Sequence, residues 1–269
     1  MGIRADRIAV FHRLHSGGCF VMPNPWDPGT ARALEGFGFP ALATTSSGFA
    51  WTRGRADTKV GLDRVLDHLR EIVEAVELPV NADFEGGYAV DPAQVAANVG
   101  RAVETGVAGL SIEDSSHDPD EPLLPFELSV ERVRAARGAI DASGSGVLLT
   151  ARSEGFVVGR PDIAETVRRL RAYAEAGADC LYAPRISSVA DIEAVVAAAA
   201  PKPVNLLINA PFITVEQAAS LGVRRISIGG TLARAAWGAF LGVAREIAEN
   251  GTFTGFQELP NVDGLFDRG

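Results

Sequence analysis

The pattern of apolar and polar positions divides this chain into short apolar runs separated by longer amphipathic segments. Eight apolar runs occur, at residues 19–23, 41–45, 79–83, 109–114, 147–151, 180–184, 203–208 and 225–229. Eight segments with helical periodicity alternate with them, at 31–38, 62–76, 92–106, 129–142, 163–177, 189–200, 214–222 and 232–251. Short apolar runs that alternate with amphipathic segments are typical of alternating strands and helices. The pattern therefore predicts eight consecutive strand–helix units.

The junctions between these units repeat as well. A glycine that can supply the left-handed turn at a helix end precedes four of the runs, at Gly38, Gly106, Gly177 and Gly222. Strict alternation implies parallel strands with right-handed crossovers, and eight units match a (β/α)8 TIM barrel of the α/β class. An open doubly wound sheet is the alternative, but no G-x-G-x-x-G motif follows the first strand. We predict one barrel domain over residues 1–250 and a C-terminal tail over residues 251–269.

Composition and charge narrow the choice of partner. The 269 residues are 47% hydrophobic and 22% charged, with a formal net charge of −9. An acidic chain without a basic stripe is unsuited to nucleic acid. No apolar run is long enough to span a bilayer, and residues 1–15 lack the apolar core of a signal peptide. We therefore expect no nucleic acid, no membrane and a cytoplasmic location, with Cys19 and Cys180 as buried free thiols.

Acidic side chains stand where predicted strands give way to loops. Asp83 ends the third strand, Glu85 follows two residues later, Glu113 ends the fourth strand, and Asp57 lies beyond the second. Neighbouring strands are about 5 Å apart, so Asp83 and Glu113 can share a ligand, with Arg152 at the end of the fifth strand to hold an anion. One such acid alone would more often cap a helix or pair with a surface base. Three on neighbouring strand ends favour Mg²⁺, or Mn²⁺, because all the ligands are oxygens.

A family resemblance rests on these same stretches. Residues 79–88, Pro-Val-Asn-Ala-Asp-Phe-Glu-Gly-Gly-Tyr, resemble the D-x-D-x-G-Y segment of the isocitrate lyase/phosphoenolpyruvate mutase superfamily, with Glu85 replacing the second aspartate. Four further stretches fit in order: Ser-Ser-Gly-Phe at 46–49, Gly-Arg-Ala-Asp at 54–57, Ile-Glu-Asp at 112–114 and Thr-Ala-Arg-Ser-Glu at 150–154. The resemblance covers roughly residues 8 to 250. It implies a Mg²⁺-dependent barrel that reacts small 2-oxo acids, or acids that yield them, through enolate or related intermediates.

The resemblance also implies roles for individual residues. Asp83 is implied as the direct metal ligand and a substrate contact, with further ligands acting through metal-bound water at Asp57, Glu85 and Glu113. Arg152 is implied to clamp a carboxylate or phosphonyl group. Backbone N–H groups are implied to bind the remaining substrate oxygens along the segment Ser46, Ser47, Gly48 and Phe49.

The loop after the fourth strand departs from the family pattern. The lyase branch carries K-[KR]-C-G-H there and the mutase and hydrolase branch a lysine and an asparagine, but residues 114–127 contain none of Cys, Lys or Asn. The loop is polar and long enough for a lid, and His117 is its candidate general acid or base, unless it is an exposed histidine without a role. Arg185 stands where lyases commonly carry Ala, and it either adds a contact for a dicarboxylate or pairs with a lid acid. Gly229 and Gly230 either hold a phosphate or form a sharp turn.

These observations lead to three hypotheses. The first is a Mg²⁺-dependent carbon–carbon lyase that acts on a small 2-oxo or 2-hydroxy carboxylate, such as oxaloacetate or 2-oxoglutarate, through an enolate. The second is P–C bond chemistry on phosphonopyruvate or phosphoenolpyruvate, for which the acidic loop offers few donors. The third is a protein that binds a 2-oxo acid without turning it over.

The predicted final helix is apolar on more than one face. The apolar positions are Leu232, Trp237, Phe240, Leu241, Val243 and Ile247. Such a helix needs two surfaces to bury it. The family resemblance implies a C-terminal helix swapped between subunits, and we expect a homo-oligomer, dimer or tetramer. A tail that folds back on its own barrel is the alternative.

Overall fold

Eight parallel strands form the centre of the protein in a computed structural model that describes residues 3–266. The strands are β1 (Phe20–Met22), β2 (Leu42–Ala43), β3 (Val80–Asp83), β4 (Gly109–Glu113), β5 (Leu148–Arg152), β6 (Cys180–Tyr182), β7 (Val204–Leu207) and β8 (Arg225–Ser227). Each pairs with its neighbour in parallel, in the order β1-β8-β7-β6-β5-β4-β3-β2. The remaining seam is bridged by the Ala43 N–H, which donates to the Pro23 carbonyl at 3.0 Å. The predicted (β/α)8 TIM barrel is confirmed.

Helices surround the barrel. They are α1 (Ile3–His15), α2 (Pro28–Gly36), α3 (Ser46–Thr52), α4 (Leu62–Ala75), α5 (Pro92–Glu104), α6 (Phe126–Ser143), α7 (Ile163–Glu175), α8 (Val189–Ala199), α9 (Val215–Ser220) and α10 (Thr231–Asn250). Several begin where a short polar side chain accepts the backbone N–H three residues on, at Asp27, Asp91, Asp162, Ser188 and Thr214. These caps satisfy N–H groups that have no partner inside the helix.

The core lies between the barrel and the helices. The outward side chains of the strands are apolar and almost fully buried, among them Ala82, Leu110, Ile112, Leu149, Leu206 and Ile226. The helices cover them with apolar faces, as α4 does with Leu66, Leu69 and Ile72. Both cysteines are free thiols; Cys180 is buried and Cys19 is half-buried.

Two helices lie outside the predicted units. Helix α1 precedes the first strand and is anchored by Phe11, which is fully buried, and by Arg7, whose guanidinium donates to the carbonyls of Val73 and Val76. Helix α3 occupies the loop after β2, where it begins at Thr45, whose hydroxyl accepts the Gly48 N–H at 3.3 Å. Seven residues that include a glycine give too little periodicity to be recognised in a sequence.

Helix α10 makes little contact with the barrel. Ala233 is its one buried residue, and Trp237, Phe240 and Leu241 are exposed. The tail forms two short 3₁₀ turns, η1 (Thr254–Phe256) and η2 (Asp263–Leu265), of which η1 packs against α10. Residues 267–269 of the predicted tail, and residues 1–2 of the predicted barrel domain, lie outside the described part of the chain. No helix within residues 3–266 is both long enough and apolar enough to cross a bilayer.

Candidate active site

A cavity of about 300 Å³ opens where the carboxyl ends of the strands meet. Its wall is drawn from every side of the barrel and includes Asn24, Thr44, Ser46, Ser47, Trp51, Asp57, Asn81, Asp83, Ser111, Arg152, Tyr182, Arg185, Asn205, Arg225, Ser227, Gly230 and Arg234. Active sites of (β/α)8 barrels lie at this end, on the loops that follow the strands. The cavity is therefore the candidate active site.

Arg152 is the centre of the charged cluster in this cavity. Its Nη1 atom lies 2.8 Å from Asp83 Oδ1 and 3.0 Å from Glu113 Oε2, and its Nε atom lies 3.0 Å from Glu154 Oε1. The guanidinium also lies over the Tyr182 ring, with Cζ 5.3 Å from the ring centroid. Register explains the meeting, because β4 pairs with β5 so that Glu113 is opposite Arg152. The structure thus brings together three of the predicted site residues and adds Glu154.

The carboxylates around Arg152 outnumber the positive charge among them. Burial raises the pKa of Glu113 well above its usual value and also raises that of Glu154, and in both Arg152 opposes the shift. Burial raises the pKa of Glu85 to about 7, against the hydrogen bond from Tyr88. Burial, followed by the charge of Asp83, raises the pKa of Asp57. Carboxyl groups held this way favour a cation that could neutralise them.

The donor set fits a hydrated Mg²⁺ better than an ion enclosed by protein. Within residues 3–266, no group of three or more His, Cys, Asp or Glu side chains is arranged to hold a metal ion directly. Asp83 Oδ1 accepts from Arg152, and Asp83 Oδ2 accepts the Ser46 N–H at 2.9 Å. A carboxylate has about four lone-pair sites, so Asp83 keeps acceptor capacity beyond these two bonds. One direct ligand with acidic neighbours reached through water suits Mg²⁺, which keeps several waters.

The segment after β2 contributes less surface to the cavity than the resemblance implied. Ser46 and Ser47 line the cavity, but Gly48 and Phe49 do not. The Gly48 N–H donates to the Thr45 hydroxyl and the Phe49 N–H to the Thr45 carbonyl, because both belong to the first turn of α3. Phe49 instead packs beneath the site, stacked on His68 at 3.8 Å between ring centroids.

Left-handed backbone shapes several loops around the cavity. Glu85 has φ 45° and Tyr88 φ 57°, in the turn after β3, and Arg185, three residues after the end of β6, has φ 68°. Such conformations are uncommon for residues other than glycine and gather at functional sites. The turn at Glu85 means that the chain is not extended there, so the spacing of two does not by itself align Glu85 with Asp83. Tyr88 instead orients Glu85, donating its hydroxyl to Oε1 at 2.8 Å.

The lid loop after β4 is a narrow loop tied at its base. Ser115 bridges to Leu123, and the Leu124 N–H donates to the Asp114 carbonyl at 2.9 Å. Behind it, Asp114 Oδ2 accepts from the Tyr173 hydroxyl at 2.6 Å and from Arg169 Nη1 at 3.1 Å. Asp114 Oδ1 accepts the Glu154 N–H at 2.7 Å, so the same carboxylate connects the lid to the Arg152 cluster.

His117 lies on this lid at the edge of the cluster. Its Nε2 atom is 3.6 Å from Glu113 Oε1, too far for a hydrogen bond, and its Nδ1 atom is 3.3 Å from the Ser115 hydroxyl. Its φ is 59°, and half-burial lowers its pKa. It remains the lid's candidate for proton transfer.

Several cavity residues escaped the sequence analysis. Asn24, from the loop after β1, accepts the N–H groups of Ile228 and Gly229 at 3.0 Å and donates to the Thr44 carbonyl at 2.8 Å, which ties three strand ends together. This use of two N–H groups favours a structural turn at Gly229. Glu154 contacts Arg152 without lining the cavity itself, and its spacing of two residues from Arg152 could have pointed to it. Others are Trp51, Tyr182, Arg225 and Arg234.

The fold, with a charged cavity at the carboxyl ends of the strands, is that of the (β/α)8-barrel enzymes. A family model described as phosphoenolpyruvate phosphomutase matches residues 11–248. The chain therefore belongs to this family, within the PEP mutase/isocitrate lyase superfamily, as the sequence resemblance predicted.

Similar proteins include members with different reactions. A crystal structure from Burkholderia cenocepacia J2315, provisionally described as a lyase/mutase, is 43% identical, with 98% of each chain covered and a TM-score of 0.95. The 2-methylisocitrate lyase of Escherichia coli K12 is 32% identical over 162 residues, which are 57% of this chain and 53% of that one. The oxaloacetate decarboxylase of Bradyrhizobium diazoefficiens is 29% identical over 209 residues, 74% of this chain and 69% of that one. The two named enzymes act on small anionic carboxylates, and membership of a superfamily of lyases and mutases supports an enzyme.

Proposed function

We propose that this protein is a Mg²⁺-dependent carbon–carbon lyase that acts on a small 2-oxo or 2-hydroxy carboxylate through an enolate. The observation that supports it best is the cluster of Asp83, Glu113 and Glu154 around Arg152, with Asp57 and Glu85 close by. A surplus of buried carboxylates beside one arginine suits a divalent cation and an anionic substrate together.

Each side chain has a task in this proposal. Asp83 would hold the ion directly, and Asp57, Glu85 and Glu113 would hold it through water. When bound, Mg²⁺ polarises the substrate oxygens and stabilises the negative charge that develops during reaction. Arg152 holds the substrate carboxylate with its planar fork, and Glu154 fixes the orientation of that fork through Nε. The Ser46 N–H holds Asp83 in place.

Proton transfer is proposed to fall to His117. The imidazole is the one side chain of the lid that titrates near neutral pH. Its lowered pKa leaves it neutral at pH 7, so that it can accept a proton from a substrate hydroxyl or return one to a carbon. Movement of the lid, with release of the hydrogen bond from Arg160 Nη2 to the Asp120 carbonyl at 3.3 Å, could bring it into place.

The proposal is tested by binding and by product analysis. Protein stripped with EDTA is titrated with Mg²⁺ and then with oxaloacetate, 2-oxoglutarate, pyruvate, methylisocitrate and phosphonopyruvate, while its melting temperature is followed. We expect stabilisation by a 2-oxo acid only with Mg²⁺, and loss of that stabilisation in Asp83→Asn. Asp67→Asn is the matched control, because Asp67 is exposed and pairs only with Arg70 on its own helix.

The outcomes separate the three hypotheses. Carbon–carbon cleavage products identify the lyase, whereas release of phosphate from phosphonopyruvate identifies P–C chemistry. Binding that needs Mg²⁺ but gives no product identifies a 2-oxo-acid binding protein. Equal stabilisation of the wild type and Asp83→Asn would exclude the proposed metal site.

We also propose that the protein is a homo-oligomer in which α10 packs on a second copy of the chain. An amphipathic helix of twenty residues that buries only Ala233 within its own chain leaves a large apolar surface. Trp237 and Phe240 pack edge to face there, with 5.5 Å between ring centroids, and Phe253 and Phe256 after the helix are exposed as well. A patch of this size is uncommon on a monomer and is typical of an interface.

A further inference from the structure

The wall of the cavity has an acidic side and a basic side. Asp57 and Asp83 lie on the side formed by the first half of the barrel. The side formed by β6, β8 and the start of α10 presents Arg185, Arg225 and Arg234. Among residues 3–266, none of these three arginines lies within 4.0 Å of a carboxylate oxygen.

Arg225 differs from the other two arginines because it is almost fully buried, with 1% of its surface exposed. Its Nε donates to Asn205 Oδ1 at 2.8 Å, its Nη2 to the Thr150 hydroxyl at 3.0 Å, and its Nη1 lies 3.2 Å from His15 Nε2. All three partners are uncharged, since burial and the nearby guanidinium lower the pKa of His15 to about 3. A charge buried among neutral groups is costly unless an anion joins it.

The other two arginines surround the upper part of the same space. Arg185 lies three residues after the end of β6, in the left-handed conformation, and lines the cavity. Arg234 lies on the first turn of α10, with Cζ 5.7 Å from the centroid of the Trp51 ring. Arg185 and Arg234 are exposed, so water screens them, but both border the cavity that Arg225 closes from below.

Space and charge together argue for a ligand with two anionic ends. Arg152 already has Nε and Nη1 occupied by carboxylates, so it offers one substrate group its remaining donors. The guanidinium groups of Arg185, Arg225 and Arg234 on the opposite side contact no carboxylate within residues 3–266. They match the distant end of a substrate whose first carboxylate lies at Arg152.

We propose that Arg185, Arg225 and Arg234 form a second anion subsite that binds the terminal carboxylate of a dicarboxylic 2-oxo acid. The assignment of the 2-oxo end rests on the function proposed above, whereas the subsite itself rests on the three arginines. Arg185, Arg225 and Arg234 thereby become specificity-determining residues of the cavity.

The test compares substrates that differ only in the terminal group. Oxaloacetate is paired with 2-oxobutanoate and 2-oxoglutarate with 2-oxopentanoate, and binding to the Mg²⁺-loaded protein is measured by calorimetry. We expect the wild type to bind at least one dicarboxylate about 10- to 100-fold more tightly than its partner of equal chain length. Arg234→Gln and Arg185→Gln should reduce that preference and leave the affinity for the monocarboxylates unchanged.

Control variants separate binding from folding. Arg225→Gln should abolish the preference for the dicarboxylate, but this substitution also removes three buried hydrogen bonds. If the Arg225→Gln protein does not fold, Arg185→Gln and Arg234→Gln, at exposed positions, test the subsite. Arg245→Gln is the matched control, because Arg245 lies on the same helix as Arg234, is exposed and faces only Glu249. It should retain the wild-type preference.

The subsite and the proposed function fail in different ways. If 2-oxo acids bind equally well with and without the terminal carboxylate, or if the variants weaken both members of a pair alike, the subsite is overturned and the function stands. A different result would retain the subsite and refute the proposed function. In that case no 2-oxo acid binds, but succinate or glutarate, without Mg²⁺, raises the melting temperature of the wild type and does not raise that of Arg234→Gln. Tighter binding of phosphonopyruvate than of either dicarboxylate, lost in the same variants, would overturn the carboxylate assignment.

Discussion

Replacement of Arg152 by leucine tests whether the charges in the cavity are arranged as described. The substitution removes the one cation that contacts Asp83, Glu113 and Glu154, whose side chains are 20%, 7% and 3% exposed. Removal of one partner from a buried ion pair typically costs about 3–5 kcal/mol. At about 2 °C per kcal/mol for a chain of this size, the melting temperature should fall by roughly 6–10 °C.

The loss should depend on pH, and the sign follows from the carboxyl groups. Arg152 lowers the pKa values of Glu113 and Glu154, so its removal raises both further above the value of about 4.3 in the unfolded chain. The folded variant then binds more protons than the unfolded chain at intermediate pH. Its stability therefore decreases as pH rises, and the gap from the wild type should be wider at pH 8 than at pH 5.5.

Urea and thermal unfolding at the two pH values measure this effect, with and without Mg²⁺. Mg²⁺ should stabilise Arg152→Leu more than the wild type, because Asp83 and Glu113 no longer have the guanidinium as a competing partner. Arg101→Leu is the control, since Arg101 and its partner Asp63 are both exposed and should contribute little. A loss for Arg152→Leu no larger than that of the control, or equal at both pH values, would refute the reasoning.

Three further predictions follow from other parts of the structure. Burial lowers the pKa of His68 from the ordinary histidine value of about 6.5 to about 4, so this group should destabilise the fold by about 1.4 kcal/mol per pH unit as pH falls through that window. His68→Phe, which keeps the aromatic stack on Phe49, should flatten the pH dependence of urea unfolding, and an unchanged slope would contradict this reasoning. The double variant Trp237→Glu, Phe240→Glu should lower the mass in light scattering to that of a single chain, whereas an unchanged mass would show that this face of α10 is not the interface. His117→Asn should reduce kcat by about 10²- to 10⁴-fold with little change in KM, and unchanged turnover would remove His117 from the mechanism.

Most of the barrel could be predicted from local pattern, because each strand–helix unit buries its apolar residues against the next. The strand bounds differ from the predicted runs by at most two residues at either end. Helix α3 could not be predicted, since its stability comes from the Thr45 cap and the buried Phe49 rather than from periodicity. The position of α10 could not be predicted either, because a face that is apolar in sequence does not reveal which chain covers it.

The site was predictable in kind but not in detail. Asp83, Glu113 and Arg152 meet because strand register places them side by side, and their positions at strand ends already implied it. Glu85 reaches the same region through a left-handed turn, which local sequence signals only weakly. The position of Phe49 beneath the cavity depends on His68 from a helix that follows in the chain, a contact that no short motif encodes.

The depth of the cavity, by contrast, could have been predicted from polar residues within the strands, which a search for apolar runs does not consider. In β3, β4, β5 and β8 polar side chains recur at alternate positions, as Asn81 and Asp83, Ser111 and Glu113, Thr150 and Arg152, and Arg225 and Ser227, and β7 adds the single polar residue Asn205. Since alternate residues of a strand face the same side, and the residues between them pack outward against helices, these polar residues must face the barrel interior. Barrel interiors are normally filled by branched apolar side chains. Five of the eight strands break this rule, which indicates a polar cavity reaching down to Arg225. The same period that identifies Asp83 and Arg152 at the top therefore also identifies the charge at the bottom.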